Sequence, residues 1–123
     1  MALMASVLVV DDEELIRWSV GQSLEDAGYQ VFEAASARET LERVNRGQDI
    51  CVILLDLKLP DSSDLGLLRK LRALAPRCRI ILMTAHGSAE TLDEALRAGA
   101  FRAMGKPFDM AKMIGLVNEA IAA

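Results

Sequence analysis

Aromatic residues are scarce in this chain: the 123 residues include three Phe, one Tyr and one Trp, together 4% of the sequence. A hydrophobic core is still expected, because 52% of the residues are hydrophobic and a chain of this length suits one domain. That core must be built from aliphatic side chains. The sequence also offers no aromatic platform for nucleic-acid bases.

Several other features are missing, and each absence excludes a class of protein. The chain has no basic run and a formal net charge of −4, which argues against direct binding of nucleic acid. No apolar stretch reaches membrane-spanning length, and the start MALMAS lacks the charged and apolar regions of a signal peptide. We therefore expect a cytoplasmic protein without membrane contact. Residues 1–5 are predicted to be a disordered or cloning-derived start, and residues 6–123 the folded domain.

Cysteine is limited to Cys51 and Cys78, which form no close-spaced motif. Cys51 lies in an apolar run, so a reduced thiol in the core is the favoured interpretation. Reduced thiols are consistent with the cytosol.

Short apolar runs alternate with longer amphipathic stretches along the chain. The apolar runs predict strands at 6–11, 29–34, 50–56, 79–84 and 101–105. The amphipathic stretches predict helices at 14–27, from 36 to about 46, from 64 to before Pro76, from after Gly87 to near Gly99, and after Pro107. Ser36 and Glu39 match a capping box, and Asp64 is predicted to cap the third helix.

The first, third and fourth predicted strands are nearly continuous apolar runs, whereas a sheet exposed on one face would alternate. Burial on both faces indicates a parallel sheet between two helix layers. Five strand–helix units with right-handed crossovers predict an α/β fold with a doubly wound five-stranded parallel sheet. The strand order 2-1-3-4-5 of the flavodoxin-like (βα)5 sandwich fits this length.

Polar residues end four of the five predicted strands: Asp11 and Asp12, Asp56, Thr84, and Lys106 after the fifth. Taken singly, an Asp after a strand is more often a helix cap or turn residue, Asp12 could cap the first helix, and Lys106 could be a surface residue. In a doubly wound sheet, however, these strand ends converge where ligands bind. Crowded carboxylates repel one another, so the cluster favours a cation site.

A hard divalent cation, Mg²⁺ or Mn²⁺, explains such a cluster, because Mg²⁺ takes a few carboxylates and shares its other positions with water and phosphate. Asp56 would attack a phosphoryl group as the nucleophile. Asp12 and Asp56 would hold the metal, with Asp11 acting through water. Lys106 would pair with one phosphoryl oxygen and Thr84 would donate a hydrogen bond to another.

Four motifs resemble the receiver domain of bacterial two-component systems: VLVVDDEE (7–14), ILLDLKLPD (53–61), ILMTAHGS (81–88) and AGAFRAMGKPF (98–108). The resemblance runs from about Ser6 to Ile121 and is closest to NtrC-like activators. It implies phosphorylation of Asp56 by a sensor histidine kinase or a phosphotransfer protein. It also implies a further metal ligand at the backbone carbonyl of Lys58 and a cis bond between Lys106 and Pro107.

The chain departs from the family pattern at two positions. Ala103 stands where the family usually has Tyr or Phe, a ring that moves inward when the hydroxyl at the Thr84 position swings toward the phosphoryl group. We expect Ala103 to remove this aromatic readout while phosphorylation stays intact. Asp64 stands where Gly is common, a mild change because Asp tolerates left-handed backbone better than most residues.

Lys58 and His86, two residues after Asp56 and Thr84, flank the predicted site. They are either solvated loop side chains or modulators that hinder the water hydrolysing the aspartyl phosphate. The second interpretation predicts a long phosphoryl lifetime.

Leu15, Ile16 and Trp18 lie at the start of the first helix, where at least one of them should belong to the core. An exposed Leu15 or Trp18, together with Pro107, would provide a docking site for the kinase.

Two alternatives remain at this stage. A phosphatase of the aspartyl-phosphate type would carry a second Asp two residues after the nucleophile, where this chain has Lys58. A pseudo-receiver that only binds partners is disfavoured by the complete site, although Ala103 keeps it open. The resemblance therefore predicts a switch that acts only on its own phosphorylation, and it is compatible with a homodimer and a C-terminal output domain.

Overall fold

A computed structural model describes residues 5–62, 64–85 and 88–123. The described residues form the strands β1 (Ser6–Val10), β2 (Gln30–Ala34), β3 (Ile50–Asp56), β4 (Arg79–Thr84) and β5 (Arg102–Gly105). They alternate with the helices α1 (Glu14–Asp26), α2 (Ala37–Asn45), α3 (Gly66–Leu74), α4 (Ala89–Arg97) and α5 (Met110–Ala122). The prediction for the start of the chain falls mostly on residues 1–4, outside the described residues.

The five strands form one parallel sheet in the order β2-β1-β3-β4-β5, which confirms the predicted doubly wound, flavodoxin-like topology. The register brings the carboxyl ends of the central strands close to one level. Val10 pairs with Leu55, Asp56 with Met83, and Thr84 with Gly105. Residues that follow these strands therefore meet at one edge of the sheet.

Alternating strand residues feed two hydrophobic cores, one on each face of the sheet. Leu8 and Leu82 point into the core that also contains Leu68 and Leu71 of α3 and Ala95 of α4. Val9 and Met83 point into the other core, which α1 and α5 complete through Leu24 and Val117. The largest fully buried side chains of the described residues are aliphatic or Met, as the scarcity of aromatics predicts.

Helix starts agree with the prediction at Ser36 and differ at Asp64. The Ser36 hydroxyl accepts a hydrogen bond from the amide of Glu39 at 3.1 Å. The Glu39 carboxylate in turn accepts a hydrogen bond from the amide of Ala35 at 3.3 Å. The third helix begins at Gly66 rather than directly after Asp64, with Leu65 at the cap position. Asp64 lies one residue earlier and accepts the amide of Gly66 at 2.8 Å, so the predicted cap is displaced by one position.

Both cysteines are free thiols. Cys78 is buried, and burial raises its pKa to about 12, which keeps it protonated and unreactive. Cys51 is only half-buried, in contrast to the predicted core position, because it lies near the start of β3 where burial is incomplete. Among the described residues, no helix combines the length and apolarity needed to cross a membrane.

Candidate functional site

The carboxyl ends of β1, β3, β4 and β5 bring four predicted site residues together. Asp11 directly follows β1 and is fully buried, while Asp56 is the last residue of β3 and is 6% exposed. Thr84 ends β4 and is likewise buried. The amide of Lys106, directly after β5, donates to the Thr84 carbonyl at 2.8 Å, which carries the lysine to the same edge.

Lys106 bridges the two buried carboxylates. Its Nζ donates to Asp11 Oδ2 at 2.7 Å and to Asp56 Oδ2 at 3.1 Å. Asp56 Oδ1 accepts the amide of Lys58 at 3.1 Å, and Asp11 Oδ1 accepts the amide of Glu13 at 2.9 Å. These contacts hold both carboxylates in fixed orientations.

The pKa of Asp56 is raised from its ordinary value because burial penalises the carboxylate, and the nearby Asp11 adds to the rise. The amide of Lys58 and the ammonium of Lys106 act in the opposite direction without cancelling it. Burial alone would lower the pKa of Lys106, but its bonds to Asp11 and Asp56 outweigh burial, and the pKa is raised. Lys106 therefore stays protonated at neutral pH.

Three carboxylates of this edge fit a divalent cation. One oxygen each of Asp11, Asp12 and Asp56 lies within 4.8 Å of the others, and Asp12 is exposed to solvent. Carboxylate oxygens are the ligands that Mg²⁺ takes, and the exposed side leaves room for its waters and a phosphoryl oxygen. The residues present therefore fit a magnesium ion.

A cleft of about 660 Å³ opens over these residues, and its lining includes Asp12, Asp56, Lys58, Thr84 and Lys106. Lys58 is exposed and lines this cleft. Its backbone carbonyl as a metal ligand stays a prediction. The Lys106–Pro107 peptide bond is cis, as predicted. His86 lies outside the described residues.

Ala103 and Phe101 lie toward opposite cores. Ala103 is half-buried and packs against the core beneath α2, α3 and α4. Phe101 packs on the other core, and the guanidinium of Arg102 lies 4.6 Å from the centre of its ring. Phe101 does not occupy the position from which the expected ring is missing.

The start of α1 presents the predicted docking residues in two ways. Leu15 is 73% exposed and Trp18 is 58% exposed. Ile16 is half-buried and packs against the core, so it is the one of the three that contributes to the core. Beside them runs a groove of about 450 Å³ whose lining includes Leu15, Ile16, Pro107 and Phe108. This groove shares Lys106 with the cleft over Asp56.

Two side chains that support the site were not predicted from the sequence. Arg17 Nη1 donates to the backbone carbonyl of Asp11 at 2.7 Å. Asp61, in the loop after β3, accepts the amides of Ala37 and Arg38 at 2.7 and 3.0 Å. Arg17 is an ordinary charged residue of a helix in the sequence. The Asp61 contact joins residues more than twenty positions apart, so no local pattern reveals it.

Comparisons with known proteins agree with this geometry. Residues 7–118 match the family model of the response regulator receiver domain. The chain is 32% identical over 104 residues to sporulation initiation phosphotransferase F of Bacillus subtilis, covering 85% of this chain and 83% of that protein. It is 34% identical over 117 residues to the DNA-binding transcriptional regulator NtrC of Escherichia coli, covering 94% of this chain and 24% of NtrC.

The fold has a close counterpart among solved structures. A CheY-like response regulator receiver domain protein from Methanospirillum hungatei superposes with a TM-score of 0.92 at 32% identity, covering 98% of this chain and 95% of that one. The chain spans about a quarter of the length of its NtrC relatives. Family match, identity and fold agree, and the chain belongs to the response regulator receiver domains of two-component systems.

Proposed function

We propose that Asp56 accepts a phosphoryl group from a sensor histidine kinase or a phosphotransfer protein, in the cytoplasm and with Mg²⁺ or Mn²⁺ as cofactor. The observation that carries the proposal is the bridge from Lys106 to Asp11 and Asp56 beside the three clustered carboxylates. A cluster of like charges with one buried ammonium has no evident use in packing. It suits a site at which a dianionic group arrives.

The chemistry follows from the positions of the side chains. A carboxylate oxygen of Asp56 forms a bond to phosphorus as the bond to the donor nitrogen of a phosphohistidine breaks, and that nitrogen keeps the electron pair. Asp11, Asp12 and Asp56, with the carbonyl of Lys58, would hold the metal, which neutralises charge on the phosphoryl oxygens. Lys106 would pair with one of these oxygens, and Thr84 would donate to another.

Receiver domains are signalling modules, and the proposed reaction moves one phosphoryl group from the donor to Asp56 of this chain. The phosphorylated state would act on a partner surface, a second copy in a homodimer, or a C-terminal output domain in the full-length protein. The output domain is suggested by the regulator NtrC, which is about four times as long as the part that matches this chain. The complete set of Asp11, Asp12, Asp56, Thr84 and Lys106 argues against a module that only binds partners.

Incubation with acetyl phosphate and Mg²⁺, followed by intact mass measurement, tests the proposal. The wild type should gain one phosphoryl group, and a chelator or Asp56→Asn should abolish the gain. Asp49→Asn, an exposed Asp at the opposite end of the sheet, is the matched control and should be phosphorylated like the wild type. Equal phosphorylation of the wild type and Asp56→Asn would exclude Asp56 as the acceptor.

A further inference from the structure

Arg17 holds the backbone that carries the first two carboxylates of the site. Its Nη1 donates to the carbonyl of Asp11 at 2.7 Å, and its Nε donates to Glu33 of β2 at 2.9 Å. Only 16% of the Arg17 side chain is exposed, so the guanidinium is withheld from solvent between α1 and the end of β2. Neither contact is to a carboxylate of the metal cluster.

The carbonyl that Arg17 binds belongs to the peptide unit joining Asp11 to Asp12. A peptide unit is planar, so fixing its carbonyl fixes the direction in which both flanking residues leave the plane. The preceding peptide unit is fixed as well, because the Asp11 amide donates to the carbonyl of Ala34 at 3.1 Å. With these two bonds, the backbone on both sides of Asp11 has a single orientation.

We infer that Arg17 is a positioning residue for the divalent cation site, acting through the Asp11–Asp12 peptide rather than by touching the metal or the phosphoryl group. The inference rests on the proposed function, which supplies the cation. Residues that orient metal ligands commonly change metal affinity by about 10–100-fold when they are replaced. A lysine would not substitute fully, because its single nitrogen lacks the forked geometry that reaches Asp11 and Glu33 together.

Arg17→Met tests the inference in the absence of any phosphodonor. A Mg²⁺ titration followed by backbone amide shifts should show affinity reduced by about tenfold. In the metal-free protein, the amide of Glu13, bonded to Asp11 Oδ1 at 2.9 Å, should exchange with solvent faster. The amides of β3 should keep their protection, which separates local reorientation from loss of the fold.

Three further variants complete the experiment. Arg38→Met removes an exposed helical arginine that also pairs with a glutamate, and its Mg²⁺ affinity should equal that of the wild type. Glu33→Gln leaves the Asp11 contact in place and should bind Mg²⁺ nearly normally. Arg17→Lys should bind with intermediate affinity.

Wild-type affinity in a folded Arg17→Met protein would overturn the inference and leave the proposed function standing. If Arg17→Met does not fold, the Mg²⁺ affinity of Arg17→Lys tests the inference instead. An affinity equal to that of Glu33→Gln would then overturn the inference. A wild type that shows no Mg²⁺-dependent shift at Asp12 or Asp56 would overturn the proposed function and the inference together.

Discussion

At the scale of single residues, Asp11 has a partner for each of its polar groups. Its amide donates to Ala34, its carbonyl accepts from Arg17, and its two carboxylate oxygens accept from Glu13 and Lys106. An ionised carboxylate with no exposed surface is tolerated only when it is hydrogen-bonded and paired. Lys106 is therefore a structural counter-ion as well as a candidate for phosphoryl binding.

Replacing Lys106 by Met should destabilise the metal-free protein by about 3 kcal/mol, because breaking a buried ion pair leaves an uncompensated charge. Mg²⁺ should recover more stability in this variant than in the wild type, since the cation supplies the missing positive charge. Urea unfolding with and without Mg²⁺ measures both effects. Lys112→Met, an exposed lysine of α5, is the matched control and should change little. Equal Mg²⁺ stabilisation in wild type and Lys106→Met would contradict this account.

At the scale of secondary structure elements, the loop after β3 is tied to α2. Asp61 accepts the first two amides of α2, and Leu59 and Ser62 exchange backbone hydrogen bonds within the loop. The helix amides lower the pKa of Asp61, because they bind its charged form. The loop that contains Lys58 is thereby anchored to a neighbouring helix.

The stability contributed by Asp61 should depend on pH with a defined sign. Since its pKa is lower in the folded state than the 3.8 of a free carboxyl, the contribution is present above that value. It is lost as the pH falls through the folded pKa. Asp61→Asn should thus lower stability near neutral pH and flatten the decline that occurs as the pH falls from about 5 to below 3.8.

Urea unfolding midpoints across this pH range measure the effect of Asp61→Asn. Asp26→Asn, an exposed residue at the end of α1, controls for the general loss of one negative charge. The interpretation fails if Asp61→Asn and Asp26→Asn show the same decline as the pH falls.

At the scale of the whole molecule, the apolar start of α1 lies beside the cleft over Asp56. A partner seated on Leu15, Trp18 and the groove at Pro107 would have its phosphohistidine close to Asp56. Exposed large apolar residues next to a reactive site indicate an interaction surface. Leu74, 52% exposed on α3, lines a separate cavity at the opposite end of the sheet.

The test uses a phosphorylated histidine-phosphotransfer protein that phosphorylates the wild type. With this donor, Leu15→Ala and Trp18→Ala should each slow phosphorylation by about tenfold, which corresponds to a loss of about 1.4 kcal/mol in binding free energy. Phosphorylation by acetyl phosphate, which needs no docking surface, should be unchanged. Leu74→Ala is the control and should behave like the wild type in both assays. An equal loss with both donors would mean that the site itself is disturbed.

The switch of the whole domain should also differ from the family pattern at Ala103. Because Ala103 has no ring and Phe101 packs on the opposite core, we expect activation to proceed through Thr84 and the segment 86–98. A structure with beryllofluoride bound to Asp56 tests this. Movement of Phe101 or another ring into the position beside Ala103 would show the expectation to be wrong.

The sequence by itself predicted the parallel sheet and the polar residues at its carboxyl edge. Continuous apolar runs specify burial on both faces and hence a parallel sheet, and the residue after each strand end is given directly by the chain order. Asp11, Asp56, Thr84 and Lys106 could therefore be assigned to one edge without coordinates. The cap at Ser36 was equally readable, because its signal spans four residues.

Only the tertiary structure decided how those residues are held. Arg17 reaches Glu33 of β2, and Asp61 reaches the start of α2, because segments that are distant in the chain lie side by side. It also decided that Leu15 is exposed and Ile16 half-buried, since two neighbours on a helix point about 100° apart and only packing shows which one meets the core. The physical reason is common to these cases: contacts between distant segments depend on where the chain returns, which no local pattern encodes.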